Sequence, residues 1–166
     1  MTLATLDLAG GPAARTVLLS EVTATGFAFH TDSRSHKAAE LAADPRVCLT
    51  LVISEDSHQL VVHGIASAQE PTVTRAAYGR RSAYLRHLAW LNDAELARLT
   101  DAERLARWSE AVAAAPDGPV DPPPTWVGFE LTPTRYVFWE GGTDRASRRT
   151  EFRQTPTGWT VDHLPG

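Results

Sequence analysis

Between Thr31 and Lys37 the chain reads "TDSRSHK", three hydroxyl side chains and three potential cations just ahead of the alanine-rich segment 38–43. A helix start offers unpaired backbone N–H groups and a partial positive charge. Ser33 and Ser35 add hydroxyl donors, and Arg34, His36 and Lys37 add charge, a combination that suits a phosphate. The same residues also suit a capped helix with a solvated basic first turn, Ser33 or Ser35 being the cap. Cations at a helix N-terminus oppose its dipole by ~0.3–1 kcal/mol each, a cost that a bound anion offsets.

Two more stretches carry chemistry. Arg15 opens "RTVLLS" on the strand that precedes "GFAFHT". In an up-and-down meander these strands are neighbours, which brings Arg15 to the same anion; taken alone, it reads as a strand-end surface arginine. In "YVFWEGGTDRASRR", Phe138 and Trp139 run into a Gly-Gly turn, followed by Arg145, Ser147, Arg148 and Arg149. Aromatic planes beside guanidinium groups suit a flat, anionic, aromatic ligand, and the pattern also fits a hairpin turn with solvated arginines.

Other chemistries find no support. The six histidines are scattered, without metal-ligand spacing, so no metal site is expected. Neither a P-loop nor a GxGxxG between strand and helix is present, so a nucleotide would not sit on a Rossmann unit, and spacing alone supports no Ser-His-Asp set. Cys48 is the single cysteine and lies in an apolar run; it reads as a buried, inert thiol in a reducing compartment. A net charge of −4 favours neither nucleic acid nor an anionic membrane. The start "MTLATLDLAGG" has no basic n-region, no run approaches the ~20 apolar residues of a membrane span, and a cytoplasmic location is expected.

The elements that must position these residues follow from periodicity. With 166 residues, 43% hydrophobic and 22% charged, the chain suits one globular domain, 1–166. "TLATLDL", "RTVLLSEV", "GFAFHT", "RVCLTLVI" and "HQLVVHGIASAQ" read as strands. A helix interrupts them at 33–44, with Ala38, Leu41 and Ala42 on one face. The spacing predicts a helix over 71–91, with Pro71 in its first turn, and another over 92–115, capped by Asn92 and carrying Leu96, Leu99, Leu105 and Trp108 at helical spacing. "PDGPVDPPP" is a Pro-rich surface linker. "TWVGFELTP", "TRYVFWEGG", "RRTEFRQT" and "GWTVDHL" return to strand. The fold class is α+β dominated by β.

In order along the chain, "RTVLLS", "GFAFHTDSRSHKAAEL", "DPR", "HQL", "VFWEGGTDRASRR" and "GWTVDHLPG" resemble the motifs of the pyridoxamine 5'-phosphate oxidase family, from Thr2 to Pro165. The resemblance implies a six- to eight-stranded antiparallel split β-barrel with inserted helices, and an FMN cofactor. It implies that Arg15, Ser35 and Lys37 hold the FMN phosphate, with Val17 and Leu18 alongside and His36 in the usual place of an arginine. His30 and Thr31 would line the flavin, Gln59 would bond its ring edge, and Trp139 and Arg149 would reach it across a homodimer interface, two sites being shared between the copies.

Departures from the family pattern fall on the substrate side. Ser20 stands in place of a lysine, and Ser147 in place of a histidine, that serve the substrate. Tyr78 and Arg81 remain, with Ala77 where the family tyrosine belongs, and "WLNDAE" replaces a further flavin-contacting segment. The segment ahead of the first strand is nearly absent. Arg145 and Ser147 are the catalytic candidates, and Ser20, Tyr78, Arg81 and Arg145 the substrate-binding ones. The resemblance therefore implies an FMN-dependent oxidase or oxidoreductase that takes a hydride from a small ring substrate, with O2 as acceptor and a pocket diverged from vitamin B6 phosphates. A genuine pyridoxine or pyridoxamine 5'-phosphate oxidase, a phenazine-type dihydro-ring oxidase, and a non-catalytic flavin, haem or deazaflavin carrier are the alternatives.

Overall fold

The computed structural model describes every residue except 54–57, 117 and 119. β1 (Thr2–Leu6) and β2 (Pro12–Thr16) form a hairpin. The Asp7 carboxylate accepts from the Ala9 and Gly11 N–H groups at 2.9 and 2.8 Å, and Gly10 takes a φ of +87° in the turn, a conformation that costs glycine least. The strands β3 (Glu21–Val22), β4 (Phe27–Asp32), β5 (Arg46–Ile53), β6 (His58–Ala68) and β7 (Trp126–Glu140) complete the sheet order β2-β1-β5-β6-β7-β4-β3. β8 (Arg148–Thr155) also pairs with β7, and β9 (Gly158–Pro165) pairs with β8. The sheet is an unclosed split barrel.

Backbone contacts divide the chain into two compact units. The first holds residues 1–29, 34–68 and 129–166. Its two sheet faces follow from the period-two alternation of side chains. Arg15, Leu3, Leu49, Val62, Tyr136 and Phe152 occupy one row on one face, and Leu3, Leu49 and Val62 within it are fully buried. Each such side chain contributes about 1.5–3 kcal/mol. Thr16, Thr2, Thr50, Val61, Val137 and Glu151 form a row on the opposite face. The helix α1 (His36–Ala43) packs against β1 in this unit.

The expected strand at 15–22 resolves into two pieces. Residues 17–20 leave the β1 ladder, with Val17 exchanging two hydrogen bonds with Met1 and the Ser20 N–H reaching the Ala28 carbonyl, before β3 begins. The two strands expected at 125–142 are one strand, β7. Pro133 lies inside it, opposite Gly64 and beside a shift in register, where the ladder tolerates a missing donor.

The second unit holds residues 30–33 and 69–128. The helix expected over 71–91 divides into α2 (Pro71–Gly79), with Pro71 in the first turn as the spacing implies, and α3 (Ala83–Leu91). Ser82 restarts the backbone by accepting from the Leu85 N–H. Asn92 ends α3 and does not begin the next helix; Asp93 caps α4 (Ala94–Ala97), and a Thr100–Glu103 capping box opens α5 (Asp101–Ala113). Each local cap satisfies orphan N–H groups and nucleates its own short helix, so the long periodic runs break. The predicted linker at 116–124 includes residues 117 and 119, outside the described set. Among the described residues no helix is long and apolar enough to cross a membrane.

Candidate active site

Arg15 meets α1 at Glu40, and not by the expected route. β2 pairs with β1, whereas β4 lies at the other end of the sheet order, so the meander that would make Arg15 a neighbour of "GFAFHT" is not formed. α1 supplies the contact instead. Arg15 bonds the Glu40 carboxylate and the Thr5 hydroxyl, each at 2.5 Å, and Thr5 donates to the same carboxylate oxygen at 2.6 Å. Glu40 lies three residues beyond Lys37 and four beyond His36 on the helix, the spacing that shares a face. The ion pair therefore ties Arg15 to the helix that carries Lys37 and His36. Two of the five guanidinium N–H donors are used.

Glu40 is nearly buried, whereas Ala42, assigned by sequence to the buried face, is exposed. A buried carboxylate persists when a cation and a hydroxyl satisfy it. Ser35 occupies the N-cap position, but its side chain makes no capping bond, and the first turn carries no acidic residue. Capping by Ser35 is thus not the reason for this hydroxyl.

Gln59, Trp139 and Arg149 stand in one row across β6, β7 and β8, with Leu164 of β9 next in line. Residues far apart in sequence are thus adjacent in space. By strand parity this row lies on the face opposite Arg15 and the core. The Trp139 ring lies over Gly141, where a Cβ would collide with the indole. Further along the same face, Cys48, His63 and Arg135 are successive cross-strand partners. Arg135 contacts His63 Nε2 at 2.9 Å and the nearly buried Glu151 at 3.5 Å, and Arg153 pairs with the same carboxylate. Cys48 is half-buried here, not fully enclosed as expected.

Arg145 is exposed and forms a two-point ion pair with Asp144 at 2.9 and 3.1 Å. The Ser147 carbonyl accepts from Gly166 at 3.2 Å. Leu18 is 53% exposed, and Ser20 is also exposed.

In the second unit, His30 stacks face to face on Trp126, with centroids 5.1 Å apart and planes 6° from parallel. The Arg81 guanidinium sits 4.5 Å from the centre of the Trp126 ring, and Tyr78 meets that ring edge-on at 5.5 Å. The Trp126 N–H donates to the Thr74 carbonyl at 3.1 Å, fixing the indole. Burial, with help from Arg81 and Arg80, lowers the His30 pKa to about 4, so the ring is neutral at pH 7. Thr31 follows on β4. Tyr78 is itself core, 1% exposed, its hydroxyl donating to the Arg86 carbonyl at 3.3 Å. Sequence reasoning missed Trp126, the hub of this cluster; the one available signal was an aromatic residue opening a strand after a proline run. Among the described residues no group of His, Cys, Asp and Glu is arranged to hold a metal.

Residues 1–140 match the family described as pyridoxamine 5'-phosphate oxidase, and residues 126–165 match the pyridoxine 5'-phosphate oxidase C-terminal dimerisation region. A pyridoxine/pyridoxamine 5'-phosphate oxidase of Ralstonia pickettii is 37% identical over 99% of this chain and 77% of its own length. One from Thermobifida fusca is 33% identical over the same shares. PhzG from Burkholderia lata, solved with tetrahydrophenazine-1-carboxylic acid, shares the fold with a TM-score of 0.84 at 23% identity, covering 99% of this chain and 81% of that one. A pyridoxamine 5'-phosphate oxidase-related, FMN-binding protein from Nostoc punctiforme gives 0.80 at 19% identity, covering 99% and 87%. The chain belongs to the pyridoxamine 5'-phosphate oxidase family of FMN-dependent oxidoreductases.

Proposed function

We propose that the chain is an oxidase for a flat, anionic ring substrate that is not a vitamin B6 phosphate, working as a homodimer with FMN at sites to which both copies contribute. The observation that carries the cofactor side is the Gln59–Trp139–Arg149 row. The donor set fits FMN: Lys37, Ser35 and Arg15 offer charge-assisted donors for a phosphate, and Glu40 is already neutralised by Arg15. Bound FMN would supply two-electron chemistry, taking a hydride equivalent from the substrate and passing the electrons to O2, which leaves as H2O2.

Two copies are needed because Arg15 and the Trp139–Arg149 pair lie on opposite faces of one sheet. A two-fold partner brings its own Trp139 and Arg149 to the first copy's phosphate residues. The match of residues 126–165 to a dimerisation region supports this.

Ser20 and Ser147 offer hydroxyls where a phosphate ester would want cations. Losing charge-assisted bonds of ~1.5–3 kcal/mol each weakens a phosphate monoester considerably. Arg145 would orient the substrate after exchanging Asp144 for the ligand's anion. Separately, Arg81 on Trp126 beside a neutral His30 suits an anionic ring, and the bound tetrahydrophenazine-1-carboxylic acid of PhzG is such a molecule. The second reading, a true pyridoxine or pyridoxamine 5'-phosphate oxidase, is favoured by the names of the 33–37% identical relatives.

The test is turnover by the FMN-loaded protein, followed as H2O2 release. A reduced phenazine carboxylate should be oxidised at a higher kcat/KM than pyridoxine 5'-phosphate, and the Ser20→Lys/Ser147→His variant should raise activity on the phosphate. A wild-type preference for pyridoxine 5'-phosphate establishes the second reading, and absence of turnover with either ends both.

A further inference from the structure

Glu40 and Thr5 are both enclosed in the first unit, each 5% exposed. The neighbours of Glu40 on α1, Ala38 and Leu41, are buried and apolar, so an apolar side chain at position 40 would suit this packing as well as a carboxylate. A buried ion pair is weak support for stability, because desolvating two charges offsets most of their attraction. Stability alone therefore does not account for Glu40.

The geometry does. A single carboxylate oxygen, Oε2, accepts from Arg15 Nη2 at 2.5 Å and from the Thr5 hydroxyl at 2.6 Å, and that hydroxyl accepts from Arg15 Nη1 at 2.5 Å. The three corners of this triangle come from three elements: Arg15 from β2, Thr5 from β1 and Glu40 from α1. A planar guanidinium held at both terminal nitrogens keeps one orientation, which fixes the direction of its remaining N–H groups. The arginine is also the open partner, its side chain 22% exposed against 7% for that of Glu40.

We propose that Glu40, with Thr5, is a positioning residue for the cofactor: it aims the Arg15 guanidinium at the FMN phosphate and ties β2 to the helix that carries Lys37. This rests on the phosphate reading of Arg15 given above. Glu40 contributes direction and not charge, since its own charge repels a phosphate. The gain is preorganisation: the arginine is ordered before the phosphate arrives, so binding does not have to order it.

The test compares FMN with riboflavin, which lacks the phosphate, in flavin-fluorescence titrations of the full-length protein stripped of its flavin. A loosened fold weakens both flavins alike, whereas lost aim at the phosphate weakens FMN alone. Glu40→Ala should lower the preference for FMN over riboflavin at least about tenfold, the lower bound for a charge-assisted bond, with riboflavin affinity near that of wild type. Glu40→Gln should restore most of the preference, because one amide oxygen can accept both bonds. Should Glu40→Ala fail to fold, Thr5→Val, which removes the hydroxyl, should lower the preference in the same sense, and Thr5→Ser should retain it. Arg15→Ala separates the two levels of the argument. An unchanged preference in Arg15→Ala ends the phosphate reading, and the proposal with it. A preference lost in Arg15→Ala but kept in Glu40→Ala, an equal loss for both flavins, or a tighter grip on FMN once the carboxylate is gone overturns the proposal and leaves the phosphate reading standing.

Discussion

At the scale of single residues, chemistry was more legible than partnership. The cations of "SRSHK" and Arg15 suit an anion by type, as they suit a solvated helix start. Glu40 does not, because a glutamate in a helix reads as solvated until its burial beside a half-buried arginine is seen. The pairing gives a specific expectation. Arg15→Ala leaves the Glu40 carboxylate buried and uncompensated, which costs about 3–5 kcal/mol. Adding Glu40→Gln should recover much of that loss in urea unfolding, whereas Lys37→Ala should leave stability nearly untouched and still weaken FMN by ~1.5–3 kcal/mol. His30 gives a pH signature. Its folded pKa of about 4 lies below the ordinary 6.5, so between these values the unfolded chain binds the proton and the native one does not. His30 therefore removes stability as pH falls from 6.5 toward 4, and none of that loss applies above 6.5. Melting temperatures of wild type and His30→Gln should converge or cross as pH drops through this window, the variant showing the flatter profile.

At the scale of elements, strands were read well from alternation and helices poorly from periodicity. The apolar spacing of 71–115 persists across Ser82, Asp93 and Thr100, and only the caps reveal where the backbone restarts. β7 hid behind Pro133, which reads as a break until the register shift at Gly64 is known. Nor can the alternation of "PAART" show that β2 turns back on β1; long-range pairing is not a local property. Close strand approach makes two glycines testable. A Cβ at Gly26 would collide with the Leu131 carbonyl, backbone that cannot yield, so Gly26→Ala should cost near the upper end of the ~1–3 kcal/mol typical of overpacking. Gly141→Ala would meet a side chain instead, the Trp139 indole. It should leave stability within about 1 kcal/mol and change FMN affinity through the displaced ring, as flavin fluorescence titration would report.

At the scale of the whole molecule, the last strand leaves apolar side chains uncovered. Every residue of β9 is exposed, Trp159 by 45%, Val161 by 51% and Leu164 by 40%. Tyr136, Phe138, Phe152 and Trp159 line an apolar depression of about 330 Å³. Apolar surface of this extent calls for a cover, and residues 126–165 match a dimerisation region. Val161→Asp should shift sedimentation toward the monomer and lower FMN occupancy together. The most direct measurement of the shared site is a mixed dimer of one Lys37→Ala copy and one Arg149→Ala copy. If each FMN takes its phosphate grip from one copy and its Trp139–Arg149 pair from the other, one site carries both lesions and the other none. The account predicts half the FMN bound at wild-type affinity. Uniformly weakened binding, with no wild-type class of sites, would contradict it.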